Sequence, residues 1–146
     1  MLTQNTHFAI GVHVMTALGV RAPEPLPSEL LAGSVNTNPA FLRAVIGELR
    51  DAGLVATKLG KGGGATLARP AGEITLLDVY RATVRDPGLN THDCGTNNPC
   101  PVAGTIVGYL DALSSDLDAA LAAKLAERTI ADVAKLVMHE HAAHAV

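Results

Sequence analysis

Two sets of side chains in this sequence carry chemistry by type and spacing. Cys94 and Cys100 lie in a stretch rich in Gly, Asn and Pro, with His92 and Asp93 beside the first of them. Thiolates on a flexible stretch can close a reversible disulfide, and thiolates joined by imidazole can hold zinc or another thiophilic metal. The second set is basic and polar: Asn36, Thr37 and Asn38, then Arg43 and Arg50, then Lys58 and Lys61 with Gly62 and Gly63. Arginine suits guanine edges or phosphate, and asparagine at a helix amino end suits phosphate or adenine. Neither set includes a nucleophile with an evident general base or a pair of carboxylates, so binding rather than turnover is expected and the chain does not read as an enzyme.

The elements that must position these groups follow from periodicity and punctuation. Apolar residues from Phe8 to Leu18 cover a broad helical face within Thr3 to Gly19, ended by Val20 and the cluster Pro23, Pro25, Pro27. Ser28 can cap a second, short helix through Ala32, with Gly33 as the left-handed exit residue and a polar turn from Ser34 to Asn38. Asn38 followed by Pro39 is a start signal for a third helix that Gly53 stops. Its inward face is Phe41, Leu42, Val45, Ile46 and Leu49, and the opposite face offers Ala40, Arg43, Gly47 and Arg50, small residues among arginines that a polyanion can approach closely.

Leu54 to Leu59 and Ala65 to Arg69 read as two strands around the glycine-rich tip Gly60 to Gly64. The tip also spells part of a dinucleotide fingerprint, but Pro70 leaves no room for the helix that chemistry needs, and Lys61 is followed by glycine where a phosphate-binding loop needs Ser or Thr. A fourth helix is expected over Leu76 to Val84 and a loop over Pro87 to Pro101. From Gly104 to Arg128, Ile106, Leu110, Leu113, Leu117, Leu121 and Leu125 describe a long amphipathic helix. A helix of about 24 residues would span ~36 Å, so its excess apolar length is best buried against a second copy. Thr129 with Asp132 resembles a capping box for a last helix carrying Ile130, Val133, Leu136 and Val137. His139, His141 and His144 do not share one helical face and are expected in a frayed, solvated terminus, and His13 reads as a packed or surface histidine.

A chain of 146 residues with 48% hydrophobic and 17% charged residues is neither disordered nor long enough for a barrel enzyme, and it has no membrane-spanning run. With four aromatic residues and no Trp it lacks the rings of an RNA-stacking platform. The net charge of -3 hides an asymmetry. Positions 36 to 69 hold five basic residues against Glu48 and Asp51, while the second half of the chain is acidic. Two cysteines make no disulfide framework and the N-terminal residues lack the features of a signal peptide, so a cytoplasmic location is expected.

Helix, turn, helix and a hairpin with a basic glycine-rich tip is the order of a winged helix-turn-helix, whose second helix can enter the major groove while the wing reaches the backbone or minor groove. The bland alternative is a three-helix core with an ordinary hairpin. The run Phe41-Leu42-Arg43 through Leu49-Arg50-Asp51-Ala52-Gly53-Leu54-Val55, then Gly60-Lys61-Gly62-Gly63-Gly64 and Ala68-Arg69-Pro70, resembles the Rrf-type winged-helix regulators, among them IscR, NsrR and CymR. The similarity continues through Ile74 to Val79, the cysteine stretch, the long helix and Thr129 to Val133. It implies a homodimer on duplex DNA, with long helices crossing and one recognition helix and wing per half-site.

It also implies a division into a winged helix-turn-helix domain at 1-86, a sensor loop at 87-103 and a dimerisation region with the C-terminal helix at 104-146. Cluster-binding members of the family carry three cysteines in this loop. Cys94 and Cys100 fit the first two positions, but the third falls at Ile106, which cannot ligate, and His7 sits about where the family's cross-subunit ligand occurs. Four readings stay open: a reversible dithiol, a mixed-ligand cluster or metal site using His7, His92 or Asp93, a loop without sensing, and a small-molecule effector site. The resulting expectation is a mainly α chain with a small β-hairpin wing, acting as a dimeric DNA-binding repressor that responds to the state of Cys94 and Cys100. The competing class is a thiol- or metal-binding protein without DNA binding.

Overall fold

The computed structural model describes residues 6–86 and 88–145. Among the described residues six helices and one hairpin are formed: α1 Thr6–Arg21, α2 Ser28–Val35, α3 Pro39–Asp51, β1 Val55–Lys58, β2 Gly64–Leu67, α4 Leu76–Thr83, α5 Ile106–Ala126 and α6 Ile130–His144. A single 3-10 turn at Ala71–Glu73 leads into α4.

The core lies where α1, α2, α3, the hairpin, α4 and α6 meet. Val14, Met15 and Leu18 of α1 are fully buried with Leu31 of α2, Leu42, Val45 and Leu49 of α3, Leu54, Ile74, Val79 and Ile130. Truncating a leucine such as Leu42 in this core would cost about 2–5 kcal/mol, the lost transfer free energy plus the cavity left behind. α1 approaches its neighbours closely because it carries glycines at the crossings: a Cβ on Gly11 would stand 3.1 Å from Val79 and Thr83, and one on Gly19 3.2 Å from Ile130.

Several boundaries differ from the sequence expectation. α1 continues past Gly19 to Arg21, while positions 3 to 5 of its expected start, and Pro87 at the expected loop start, lie outside the described residues. α2 does not end at Gly33: it runs to Val35, half-buried against the core, and the left-handed exit residue is Asn36, whose amide tolerates a φ of 54°. Ser28 is the first residue of that helix rather than its cap, which is Pro27 without a side-chain bond. Both strands are shorter than expected, Gly64 belongs to β2 rather than the tip, and α5 starts at Ile106 and stops at Ala126. The C-terminal histidines are not in a frayed segment. α6 reaches His144, whose Nδ1–H donates to the Glu140 carbonyl across 2.8 Å.

Two capping boxes lock the far side of the domain. Asp78 accepts from the Thr75 amide at 2.8 Å and donates its own amide to Thr75 Oγ1 at 3.1 Å. Thr129 and Asp132 repeat this at the start of α6. The two caps sit side by side in an antiparallel bridge, with Leu76 N–H donating to Arg128 O and Ile130 N–H to Ile74 O. Each box satisfies orphan amides at a helix start, and the bridge ties α4 to α6.

Candidate nucleic-acid interface

Asn38 caps α3 as expected: its side-chain oxygen accepts from Ala40 N–H at 2.8 Å, and Pro39 takes the first helical position. Leu42, Val45, Ile46 and Leu49 are buried, so Arg43, Gly47 and Arg50, at steps of four and three, are turned outward together.

The hairpin is held against this helix by a contact between distant segments. Val55 pairs with Leu67 and Lys58 with Gly64, and Leu26, in the extended segment before α2, exchanges two backbone bonds with Ala65 at 3.0 and 2.9 Å. This third pairing fixes the wing to the helix-turn-helix unit. The tip needs glycine. Gly60 and Gly62 have φ of 92° and 75°, and a Cβ on Gly63 would collide with the Lys58 carbonyl.

Between α3 and the wing lies a cleft of about 270 Å³ lined by Arg43, Gly47 and Arg50 from one side and Lys58, Leu59 and Gly64 from the other. Among the described residues no ion pair engages Arg43, Lys58 or Lys61, and Arg50 meets only its neighbour Asp51 at 3.4 Å, both exposed. Arg43, Lys58 and Lys61 thus face solvent with no ion-pair partner among the described residues, and Arg50 with only this surface contact. Asn36 and Asn38 are exposed and Thr37 half-buried at the turn, with Thr37 N–H and Asn36 N–H both directed to Ala32 O. Sequence reasoning missed Thr57 and Leu59; the latter is 96% exposed at the wing tip.

On the back of α3, Glu48 is nearly covered, at 12% side-chain exposure, and accepts from His7 Nδ1–H at 2.9 Å and from Arg85 Nη2–H at 3.2 Å. His7 also packs edge-on against Phe41, with ring centroids 4.6 Å apart. Within its own chain His7 is thus engaged with α3. His13 donates to or accepts from Ser34 Oγ at 2.9 Å at the surface.

The cysteine loop is ordered by short side chains. Asp93 accepts from Gly95 N–H at 2.8 Å, and the Asn98 amide bridges the two cysteines, donating to Cys94 O and accepting from Cys100 N–H, each at 3.0 Å. Leu89 N–H donates to Ser114 Oγ at 3.1 Å, which fastens the loop to α5. Cys94 is half-buried, whereas Cys100 and His92 are exposed. The Ala103 and Val102 amides hold the Cys100 thiol below its usual range, which raises its thiolate fraction. Among the described residues no three His, Cys, Asp or Glu side chains converge on a point that could hold a metal. Cys94 and Cys100 supply two sulfur donors and aliphatic Ile106 offers no third, so an iron-sulfur cluster would need nitrogen or oxygen ligands beside them.

Known proteins share this sequence pattern and fold. The family model Rrf2, described as an iron-dependent transcriptional regulator, matches residues 4–136. YwnA of Bacillus subtilis, named as an HTH-type transcriptional regulator, is 32% identical over 129 residues, 88% of this chain and 95% of that protein. A crystal structure described as a DNA-binding protein superposes with a TM-score of 0.69 at 30% identity, covering 88% of this chain and 98% of the other. CymR, the global cysteine regulator of B. subtilis, shares the fold with a TM-score of 0.63 at 23% identity, over 93% of this chain and 98% of that one.

Proposed function

The chain belongs to the Rrf2 family of transcriptional regulators, and we propose that it acts as a homodimeric repressor on duplex DNA in the cytoplasm, with Cys94 and Cys100 as a dithiol that sets its affinity. The observation that carries the DNA reading is the cleft between α3 and the wing, with Arg43, Arg50 and Lys58 around it and, among the described residues, only the surface contact of Arg50 with Asp51 competing for them. α3 would lie in the major groove, with Asn36, Thr37, Asn38, Arg43 and Arg50 toward bases or phosphates, and Lys58, Lys61, Gly62 and Gly63 would follow the adjacent backbone.

Dimerisation is supported by α5. Only Leu125 of this 21-residue helix is buried, while Tyr109 is 65% and Leu117 47% exposed, an apolar surface whose natural cover is a second copy of the same helix. Among the described residues, no helix is long and apolar enough to cross a membrane.

The dithiol reading is supported by the Asn98 bridge, which keeps both cysteines in one turn, and by the lowered Cys100 thiol. Oxidation would join the two sulfurs, the two thiols giving two protons and two electrons to a peroxide or a disulfide oxidant. The loop is fastened to α5 through Ser114, and Arg85, two residues before it, is tied to α3, so its closure would act on both the recognition helix and the dimer helix. The test is DNA binding by reduced and diamide-treated protein, with sedimentation for the dimer. Equal affinities would end the dithiol reading. Brown colour in anaerobically purified protein would replace it with a cluster whose remaining ligands come from elsewhere.

A further inference from the structure

Gly47 is the ninth residue of the thirteen in α3, and an interior helical glycine is destabilising relative to alanine. The glycines of α1 have a reason inside the protein, because a Cβ at Gly11 or Gly19 would press on Val79, Thr83 or Ile130. Gly47 has none. A Cβ built there meets a single atom within 4 Å, the guanidinium end of Arg50 at 3.9 Å, and its φ lies outside the left-handed region that favours glycine. Gly33 and Gly108 are also unobstructed, but they lie in the last turn of α2 and the first turn of α5, where intrahelical bonding is incomplete in any case.

What distinguishes Gly47 is its place on the wall of the cationic cleft, one helical turn from Arg43 and from Arg50 and across from Lys58. At about 270 Å³ the cleft falls just below the range for small-molecule pockets, a size suited to one segment of a larger ligand. Three cationic side chains around a bare stretch of backbone match a phosphodiester, whose charge the side chains neutralise while its sugar-phosphate edge packs on the helix.

We propose that Gly47 is the point of closest approach between α3 and the DNA backbone, and that glycine is held there at the expense of helix stability because any side chain would lift the strand out of the cleft. This rests on the duplex-DNA reading above. It makes an opposed prediction for one substitution: Gly47→Ala strengthens the fold and weakens binding.

The test uses the full chain and a duplex enriched by the wild-type protein from a random-sequence library, with affinity read by fluorescence anisotropy and stability by thermal melting. Gly47→Ala is expected to melt a few degrees higher and to bind about tenfold more weakly, and Gly47→Leu to bind more weakly still while remaining folded. Arg43→Ala serves as the arm that tests the DNA reading itself. If Arg43→Ala loses affinity while Gly47→Ala binds as tightly as wild type, the assignment of Gly47 is overturned and the DNA reading stands. A lower melting temperature for Gly47→Ala would also overturn it, because the glycine would then serve the fold. If the wild-type protein enriches no duplex, the DNA reading falls and the role of Gly47 falls with it.

Discussion

Arg85, just beyond the end of α4, donates to the Glu48 carboxylate on the back of α3 across 3.2 Å. Glu48 is nearly covered and also receives His7, whereas the Arg85 side chain is 85% exposed. An ion pair with so exposed a partner is worth about 0–1 kcal/mol, so its removal should barely change stability. Its position at the root of the cysteine loop gives it a different consequence. Arg85→Ala should leave the melting temperature almost unchanged and narrow the difference in DNA affinity between reduced and oxidised protein. An undiminished difference would route the signal through Leu89, Ser114 and α5 instead.

Lys61 stands exposed at the wing tip with no ion pair among the described residues. Replacing it with alanine should weaken binding to all duplexes alike and reduce the slope of log affinity against log salt by about one, because one phosphate contact no longer releases counterions. An unchanged slope in titrations from low to moderate salt would take Lys61 off the contact surface.

The two cysteines should differ in reactivity. The Ala103 and Val102 amides favour the thiolate of Cys100, which is exposed, while Cys94 is half-buried. Limited iodoacetamide treatment at neutral pH, read by peptide mass spectrometry, should label Cys100 first. Its rate should decline as pH falls through the lowered thiol value, and should begin to rise at lower pH than for an ordinary thiol. Equal labelling of both cysteines would contradict this.

At the start of α6, the Thr129 amide and hydroxyl hold the Asp132 carboxyl below the usual carboxylate range. Thr129→Ala should lower the melting temperature by roughly 2–4 °C through loss of the cap. Because Asp132 ionises at lower pH in the folded chain than in the unfolded one, its contribution is complete above about pH 4–5 and is lost as pH falls through the folded value. Melting curves of wild type and Asp132→Asn should therefore converge in acid. A constant gap at all pH values would contradict the assignment.

Local signals were legible in the sequence and long-range ones were not. Asn38-Pro39 and Thr129 with Asp132 announce helix starts through chemistry confined to a few residues, and the structure has both. The exit of α2 was misplaced by three residues, because the burial of Val35 carries the helix past Gly33 and asparagine can take the left-handed exit. Neither the Leu26–Ala65 pairing that anchors the wing nor the grip of His7 and Arg85 on Glu48 leaves a periodic trace, since each joins residues more than thirty positions apart. The outward face of α3 was readable from spacing alone. That it forms one wall of a cleft with Lys58 and Leu59 was not, because the hairpin's angle is set by the Leu26 bridge.

The central claim is that α3 and the wing grip duplex DNA through the cleft between them. Its most direct test is binding to the duplex that the wild-type protein enriches from a random-sequence library, compared with a variant in which Arg43, Arg50 and Lys58 are all alanine. These side chains are exposed, so the triple variant should fold and melt like wild type. The expected result is a large loss of affinity, with the residual low-salt binding showing a salt slope reduced by about three. A folded triple variant that holds the same duplex with wild-type affinity would contradict it.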